Sequence, residues 1–332
     1  MTNVLVAGGS GFIGSHLVER LVAKGYKVFV LFRNNSDTKF LKSLGVELRL
    51  GDLLGLDSLK AALSGVDMVF CLVNVKPIGK SLQEYEKELY ALHSQGTQNL
   101  LEACRINKIK RLVYLSSVAA IGYRKGVSVY NESSVESPVD PYGKAKLEAE
   151  KIIRSNASVM GIDAVILQPP GVFGERGLGA LGKIIYFIER GFVPILGSGR
   201  NKQSLTYAGN VVSQAIFVAE NKGSADKTYI TTDDRPYAVN ELVDAVSRDM
   251  KLKPVKIYIP VWLMLFCVSI VNFLTKIFLR KELINKESII AIATERIFDG
   301  SRIFKELGYT QEHDLAAGTA RTIKWYKGSK NA

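Results

Sequence analysis

Tyr142 and Lys146 stand four residues apart in VDPYGKAK, and Ser117 comes soon after the apolar run RLVYL. Asp140 is a natural helix N-cap and Pro141 suits the first helical position, so a helix is expected to open there. Residues four apart on a helix share a face, which sets the phenol beside the ammonium. A phenol with a pKa near ~10 is a poor base at neutral pH. A neighbouring ammonium stabilises the phenolate and lowers that value. Tyr142 is thereby expected to exchange a proton with a substrate hydroxyl, while Ser117 donates a hydrogen bond to the same oxygen.

A tyrosine and a lysine at this spacing recur by chance, and the glycines of VLVAGGSGFIGSHLVERL give the pair its context. Gly8, Gly11 and Gly14 suit a tight turn, close approach of backbone to a pyrophosphate, and close packing of helix on strand. They lie between a strand-like run, Val4, Leu5 and Val6, and a helical repeat of Leu17, Val18, Leu21 and Val22 that Gly25 ends. A dinucleotide site needs that setting, with the pyrophosphate against the free N–H groups of the helix. A nicotinamide cofactor there would carry the hydride while Tyr142 carries the proton. After the second strand, where an acid ordinarily binds the adenosine ribose, the chain has Phe32 and Arg33. A cation suits a 2′-phosphate, so NADP is favoured over NAD. Asp52, in GDL after VELRL, is placed to hydrogen-bond the adenine amine.

The elements that must position these groups alternate. MVFCLV (68–73), RLVYLS (111–116) and DAVILQ (163–168) read as strands, with helices over 94–107 and 142–156. Alternation predicts an α/β fold with a doubly wound parallel sheet, whose ligands lie beyond the carboxyl ends of the strands. Residues 1–169 are read as the dinucleotide-binding Rossmann domain. Residues 170–332 are read as a smaller α/β substrate lobe interleaved with it. With 47% hydrophobic and 23% charged residues in 332, the chain is expected to fold. Cys71, Cys104 and Cys267 are scattered without a C-x-x-C, so neither a disulfide framework nor a metal site is expected. That usage suits a reducing cytosol, and MTNVLVAGGS shows no secretory signal. The net charge of +12 raises the question of nucleic acid or a membrane surface. No nucleic-acid module with interleaved aromatics is recognisable, so no nucleic-acid partner is expected.

GGSGFIG, GDL, GTQNLLEAC, YLSSVAAIG, PYGKAKLEAE and ELGY occur in the order that resembles an extended short-chain dehydrogenase/reductase, over nearly the whole chain. The resemblance implies a catalytic triad of Ser117, Tyr142 and Lys146, with Lys146 also holding the nicotinamide ribose. It extends the cofactor contacts to Phe12, Ile13, Leu53 and Leu72. Lys76 resembles a cofactor-contacting lysine of UDP-galactose 4-epimerases. QPPGVFGERG (168–177), with Pro169 and Val172, resembles the loop at the nicotinamide end. Two positions depart from the pattern: His93 stands where the family usually has Asn, and Gln168 where it usually has Arg. His93 is read as a structural replacement rather than a new base.

Residues 171–212 look like the branch acting on nucleotide sugars and on polyprenyl-diphosphate-linked sugars, through Glu175-Arg176, GSGRNKQS and Asn210. A diphosphate wants cations, and Arg176, Arg200 and Lys202 are at hand. Sugar 4,6-dehydratases resemble one another in placing Asp-Glu directly after the catalytic Ser/Thr; here Val118 and Ala119 follow. Epimerisation at C4 or reduction of a 4-keto sugar remains. A 3β-hydroxysteroid dehydrogenase-like enzyme has the same triad, and a dinucleotide-sensing protein is the non-catalytic alternative. A homodimer is an assembly the resemblance allows.

KIYIPVWLMLFCVSIVNFLTKIFLRK (256–281) has no charge between Lys256 and Lys276, and seven Lys/Arg against one acid lie between Lys251 and Lys286. A membrane span needs about 20 apolar residues, and this run holds Pro260, Ser269, Asn272 and Thr275. It is read as a pocket wall or an interfacial element over 257–279, dipping into anionic lipid on the cytoplasmic face.

Overall fold

Strands buried on both faces read as unbroken apolar runs, and the central sheet is built from such runs. The computed structural model describes residues 1–75, 77, 79–124, 126–279, 290 and 293–330. The strands are β1 (Asn3–Ala7), β2 (Lys27–Phe32), β3 (Glu47–Leu50), β4 (Met68–Cys71), β5 (Arg111–Leu115), β6 (Val129–Tyr130), β7 (Asp163–Gln168), β8 (Gly171–Phe173), β9 (Phe192–Leu196), β10 (Lys202–Gln203), β11 (Leu205–Tyr207), β12 (Thr228–Ile230), β13 (Tyr237–Ala238), β14 (Val255–Ile259) and β15 (Ile297–Phe298). The helices used below are α1 (Phe12–Ala23), α2 (Lys39–Ser43), α3 (Leu56–Ala62), α4 (Leu82–His93), α5 (Gln95–Ile106), α6 (Pro141–Asn156), α7 (Gly182–Ile188), α8 (Ala208–Glu220), α9 (Val239–Met250) and α10 (Val261–Leu279).

Seven strands form the sheet in the order β12-β7-β5-β4-β1-β2-β3, and each adjacent pair is parallel. The order reverses between β1 and β4, and the crevice at such a switch point is where open α/β sheets take ligands. Alternate residues of each strand feed the two faces. Leu5, Phe29 and Leu112 pack with Leu59 of α3 and Leu100 of α5 on one side. Val4, Val30 and Val113 pack with Leu17 of α1 and Val211 of α8 on the other. The doubly wound α/β sheet expected from the alternation is therefore present.

The second half of the chain does not stay apart. Residues 208–230 return to the sheet, α8 covering one face and β12 forming its edge. A third core, with Phe173, Ile185, Val193, Tyr237 and Val243, fills the remaining lobe.

The uncharged stretch is two elements rather than one. Val255, Ile257 and Ile259 alternate at strand period, and β14 pairs in parallel with β9 before Pro260 ends it. The helix that follows, α10, buries Val268 and Asn272 and leaves Trp262 70%, Phe266 59%, Ile270 45% and Phe273 66% exposed. Their spacing of four, four and three places them on one face. Among the described residues, no helix is long and apolar enough to cross a membrane.

The glycine turn makes opposed demands at two positions. A Cβ at Gly14 would stand 2.0 Å from the Gly8 carbonyl oxygen, whereas one at Gly11 would meet only that oxygen, at 3.2 Å. Gly14→Ala is expected to destabilise the fold by about 1–3 kcal/mol, as overpacking does. Gly11→Val should leave the thermal transition nearly in place and abolish dinucleotide binding. Thermal melts and a cofactor titration of both variants check this, and unaltered affinity in Gly11→Val would remove the cofactor from the turn.

Candidate active site

The ends of β5 and β7 and the first turns of α6 meet above the sheet. Asp140 caps α6, its Oδ1 accepting from the Gly143 N–H at 2.7 Å, with Pro141 in the first turn. Gly143 lets the helix close on the turn after Ser117, since a Cβ there would lie 2.2 Å from the Ala119 carbonyl oxygen. The Ser117 Oγ accepts from the Ala119 N–H at 3.1 Å, and its hydroxyl is hydrogen-bonded with the Tyr142 phenol. Lys146 is buried, and its Nζ donates to the Leu115 carbonyl at 2.9 Å. The structure thus brings Ser117, Tyr142 and Lys146 together.

The electrostatics differ from the sequence expectation. Burial pushes the Tyr142 phenol up to about 12, against the pull of the Ser117 hydrogen bond. Burial also pulls Lys146 down to about 8, with Cys71 and Glu150 opposing. The ammonium sits 5.9 Å from the phenol ring centre. The rise comes from desolvation of the phenolate, with the charges of Tyr85 and Asp140 adding to it, while the Lys146 ammonium is directed at a backbone carbonyl.

His93 stands at the end of α4, with Nδ1 2.9 Å from the Tyr114 hydroxyl and Nε2 3.5 Å from Asn74 Oδ1. Burial, aided by the charge of Lys146, pushes its pKa down to about 2. A neutral, buried imidazole packed on a tyrosine hydroxyl is a structural residue. Gln168 donates through Nε2 to both Glu150 oxygens, at 2.9 and 3.0 Å, and its own Oε1 has no partner. Ser116 Oγ bonds the same carboxylate. Glu150 is fully buried and its carboxyl pKa is raised by that burial. This acid, one turn beyond Lys146, went unread in the sequence; the signal was a helical acid on the buried face.

The cofactor candidates line the switch point. Gly8 has φ +88, and a Cβ on it would lie 2.8 Å from the Leu72 carbonyl carbon. Gly11 is the N-cap of α1 and offers no side chain to the first amides, which stay free for an anion. Ile13 and Phe12 begin the helix, and Phe12 is packed under the 174–179 loop, where Cβ atoms at Gly174 and Gly177 would touch its ring. Arg33 Nη1 and Asp52 Oδ2 are 3.8 Å apart at the ends of β2 and β3, Arg33 exposed and Asp52 partly so. Leu53 is buried, its carbonyl accepting from Asn99 Nδ2 at 2.8 Å. Pro169 accepts from the Val118 N–H at 3.1 Å, and Val172 lies in β8, opposite Thr206 of β11. Lys76 lies outside the described residues. The cradle fits a dinucleotide: an uncapped helix start and a backbone with no side chain in the way, with Arg33 and Asp52 at the ends of the two neighbouring strands.

Of the expected diphosphate cations, Arg176 is directed elsewhere. It takes a left-handed φ of 61, donates from Nε to Ser15 Oγ at 2.9 Å and from Nη2 to Glu19 at 2.8 Å, and lies over the Phe40 ring. It ties the 174–179 loop to α1. Arg200 and Lys202 are exposed on the segment after β9. Asn210 is buried, donating to Asp233 at 2.8 Å and to the His313 carbonyl at 2.7 Å, so it joins elements of the fold.

Residues 4–230 match the NAD dependent epimerase/dehydratase family. Over 330 residues the chain is 27% identical to an N-acetyl-alpha-D-glucosaminyl-diphospho-ditrans,octacis-undecaprenol 4-epimerase of Escherichia coli O157:H7, covering 97% of this chain and 95% of that one. It is 29% identical to a human sterol-4-alpha-carboxylate 3-dehydrogenase, decarboxylating, over 77% of this chain and 69% of that one. The fold superposes on a UDP-glucuronic acid 4-epimerase from Bacillus cereus in complex with NAD, with a TM-score of 0.76, 20% identity and coverage of 98% and 99%. With fold, glycine turn and match over more than half its length in agreement, the chain belongs to the NAD-dependent epimerase/dehydratase family and is an NAD(P)-dependent enzyme of the epimerase and oxidoreductase type.

Proposed function

We propose that the enzyme acts at C4 of a sugar carried on a diphosphate, nucleotide- or polyprenyl-linked, by epimerisation or by reduction of a 4-keto group. The observation that carries this reading is the hydrogen-bonded Ser117–Tyr142 pair beside a buried Lys146, followed by Val118 and Ala119 rather than by the acids an elimination needs. The near full-length likeness to a 4-epimerase of an undecaprenyl-linked sugar supports the choice of carrier. Ser117 and Tyr142 together hold one substrate oxygen; Tyr142, as phenolate, takes that oxygen's proton when hydride leaves C4 and, as phenol, returns it when hydride comes back. Lys146 supplies positive charge behind the phenol. Gly8, Gly11 and Gly14, with Arg33 and Asp52, would hold NADP or NAD, which supplies hydride donation and acceptance when bound. A sterol-type dehydrogenase is the second reading, favoured by the mammalian relative and by the apolar lobe. It predicts net consumption of oxidised cofactor, whereas epimerisation consumes none.

The enzyme is proposed to work at the cytoplasmic face of an anionic membrane. The exposed aromatic face of α10, next to Lys251, Lys253 and Lys276, has the composition of an interfacial helix. Arg280, Lys281 and Lys286, which complete the basic cluster in sequence, lie outside the described residues.

Tyr142→Phe should lower turnover by at least ~10²-fold while cofactor binding persists. Lys146 is charged below about 8, so turnover should fall as pH rises through that value. Stability should move the other way. Between about 8 and its unfolded value Lys146 is neutral in the native state and protonated in the unfolded one, so stability rises with pH there. Paired pH–rate and pH–melting curves check both signs, and a turnover profile flat through pH 8 would remove the ammonium from catalysis. Arg33→Ala should weaken NADP far more than NAD in a binding titration. In flotation assays the protein should rise with anionic vesicles, less at high salt, and less after Trp262, Leu265 and Phe266 are changed to Ser. A protein that never floats makes α10 a pocket wall.

A further inference from the structure

We propose that Arg296 is the inner cation of a seat for a diphosphate ester, built between the loop 197–201 at the start of the apolar helix α10 and the described residues 293–298. The inference rests on the diphosphate-sugar reading above and adds a residue and a place to it.

Because β9 and β14 pair in parallel, their carboxyl ends lie side by side. One leads into the loop 197–201 that carries Arg200, the other through Pro260 into α10. Gly197 N–H donates to the Ile259 carbonyl at 2.9 Å, and a Cβ on Gly197 would lie 3.7 Å from Val261 Cγ2. Asn240 holds the loop: its N–H donates to the Gly199 carbonyl at 2.9 Å, its Nδ2 to the Ser198 carbonyl at 3.0 Å, and its Oδ1 accepts from the Tyr258 hydroxyl at 3.2 Å. The chain returns to the same place. Gln203 Nε2 donates to the Thr294 carbonyl at 2.8 Å, Arg296 N–H to the Lys202 carbonyl at 3.2 Å, and Ser204 N–H to the Arg296 carbonyl at 3.4 Å. Residues 197–204 therefore border both ends of the apolar excursion.

Arg296 is half-buried and bridged to Gln203. Its guanidinium carbon lies 5.4 Å from the ring centre of Tyr123, six residues beyond Ser117 on the segment that leaves the catalytic turn. Its Nε is enclosed and has no hydrogen-bond partner. Among the described residues no carboxylate lies within ion-pair distance of it. Arg49, Arg176 and Arg302, also partly shielded, are each paired with a glutamate, and the more buried Arg111 directs its guanidinium at the Val218 and Asn221 carbonyls and Ser224. A shielded cation without a counter-charge is costly unless an anion completes it, and planar guanidinium groups suit phosphate oxygens. Lys202 alternates with Gln203 along β10 and so faces the other way, whereas Arg296, bridged to Gln203, is on the Tyr123 side. A diphosphate held there has the segment from Ser117 to Tyr123 beside it for its sugar, and the loop 197–201 leads from it to the start of α10, which would take an apolar carrier.

The test is calorimetric titration of the whole protein with farnesyl diphosphate and, separately, with uridine diphosphate. Wild type, Arg296→Ala and Arg296→Lys are compared, with NAD titration and thermal melts as controls. Loss of affinity by at least ~10-fold in Arg296→Ala, partial recovery in Arg296→Lys and unchanged NAD binding are expected, as for removal of a charged hydrogen bond. A loss confined to farnesyl diphosphate identifies an isoprenoid carrier; a loss confined to uridine diphosphate identifies a nucleoside. Equal affinities of wild type and Arg296→Ala for both probes, or no binding of either by wild type, would overturn the seat. Should Arg296→Ala lose its melting transition, Arg296→Gln keeps the side-chain stem over Tyr123 and drops the charge, and the same comparison is made with it. A wild type that binds a probe through Arg296 yet converts no diphosphate-linked sugar would instead sink the proposed function and leave the seat standing.

Discussion

A buried ammonium is the constraint around which the catalytic half is arranged. Lys146 is 2% exposed, and among the described residues no carboxylate lies within ion-pair distance of its Nζ. Burying a charge costs several kcal/mol unless neighbours compensate. Compensation here is spread out. The Leu115 carbonyl accepts from Nζ, the Tyr114 ring lies 5.1 Å away, and Glu150 adds negative charge from one turn further along α6. Nearby groups that would add positive charge are held neutral, as His93 is by burial and by Lys146 itself. The Glu150 carboxylate is in turn fixed by Ser116 and Gln168 at the ends of β5 and β7. Strand ends, helix and charge are thus one arrangement, and its rigidity sets Tyr142 against Ser117.

What the sequence made legible was local. The apolar runs, the Asp140-Pro141 helix start and the glycine turn each depend on residues within one element, and β1, β5, β7, α1 and α6 lie where those signals put them. The grouping of Ser117 with Tyr142 and Lys146 was legible too, because chain order and sheet topology bring successive strand ends to one edge. Long-range events were not. Nothing local in GERG says that Arg176 will reach back to Ser15 and Glu19, or that residues 208–230 will rejoin the sheet. The Tyr142 pKa was misread for a related reason: a charge four residues away is visible in a sequence, whereas desolvation is a property of the packed fold.

Several residues that look diagnostic of substrate are pins between layers. Asp233 accepts from Thr206, Tyr237 and Asn210, so one buried carboxylate joins β11, β13 and α8. Burial raises its pKa to about 6, which these hydrogen bonds oppose. Asn210 then carries the connection to the backbone of His313. Such a network suits this part of the lobe, where β8, β10, β11 and β13 are two or three residues long and cannot hold it by ladder hydrogen bonds alone.

The remaining tension lies at the surface of that lobe. Large apolar side chains are normally exposed singly, yet Trp262, Phe266, Ile270 and Phe273 share one face of α10. The ribbon beneath it repeats the pattern. Phe192 and Val255 are directly paired and both exposed, and Ile257, two residues on and so on the same side, is exposed as well. These outward apolar faces are what the proposed lipid contact would use, and buried polar pins rather than a flexible linker tie the lobe to the sheet. Because α8 packs on the sheet, each pin that joins β11, α8 and β13 fixes the lobe, and with it the proposed lipid-facing surface, relative to the strand ends beside Ser117.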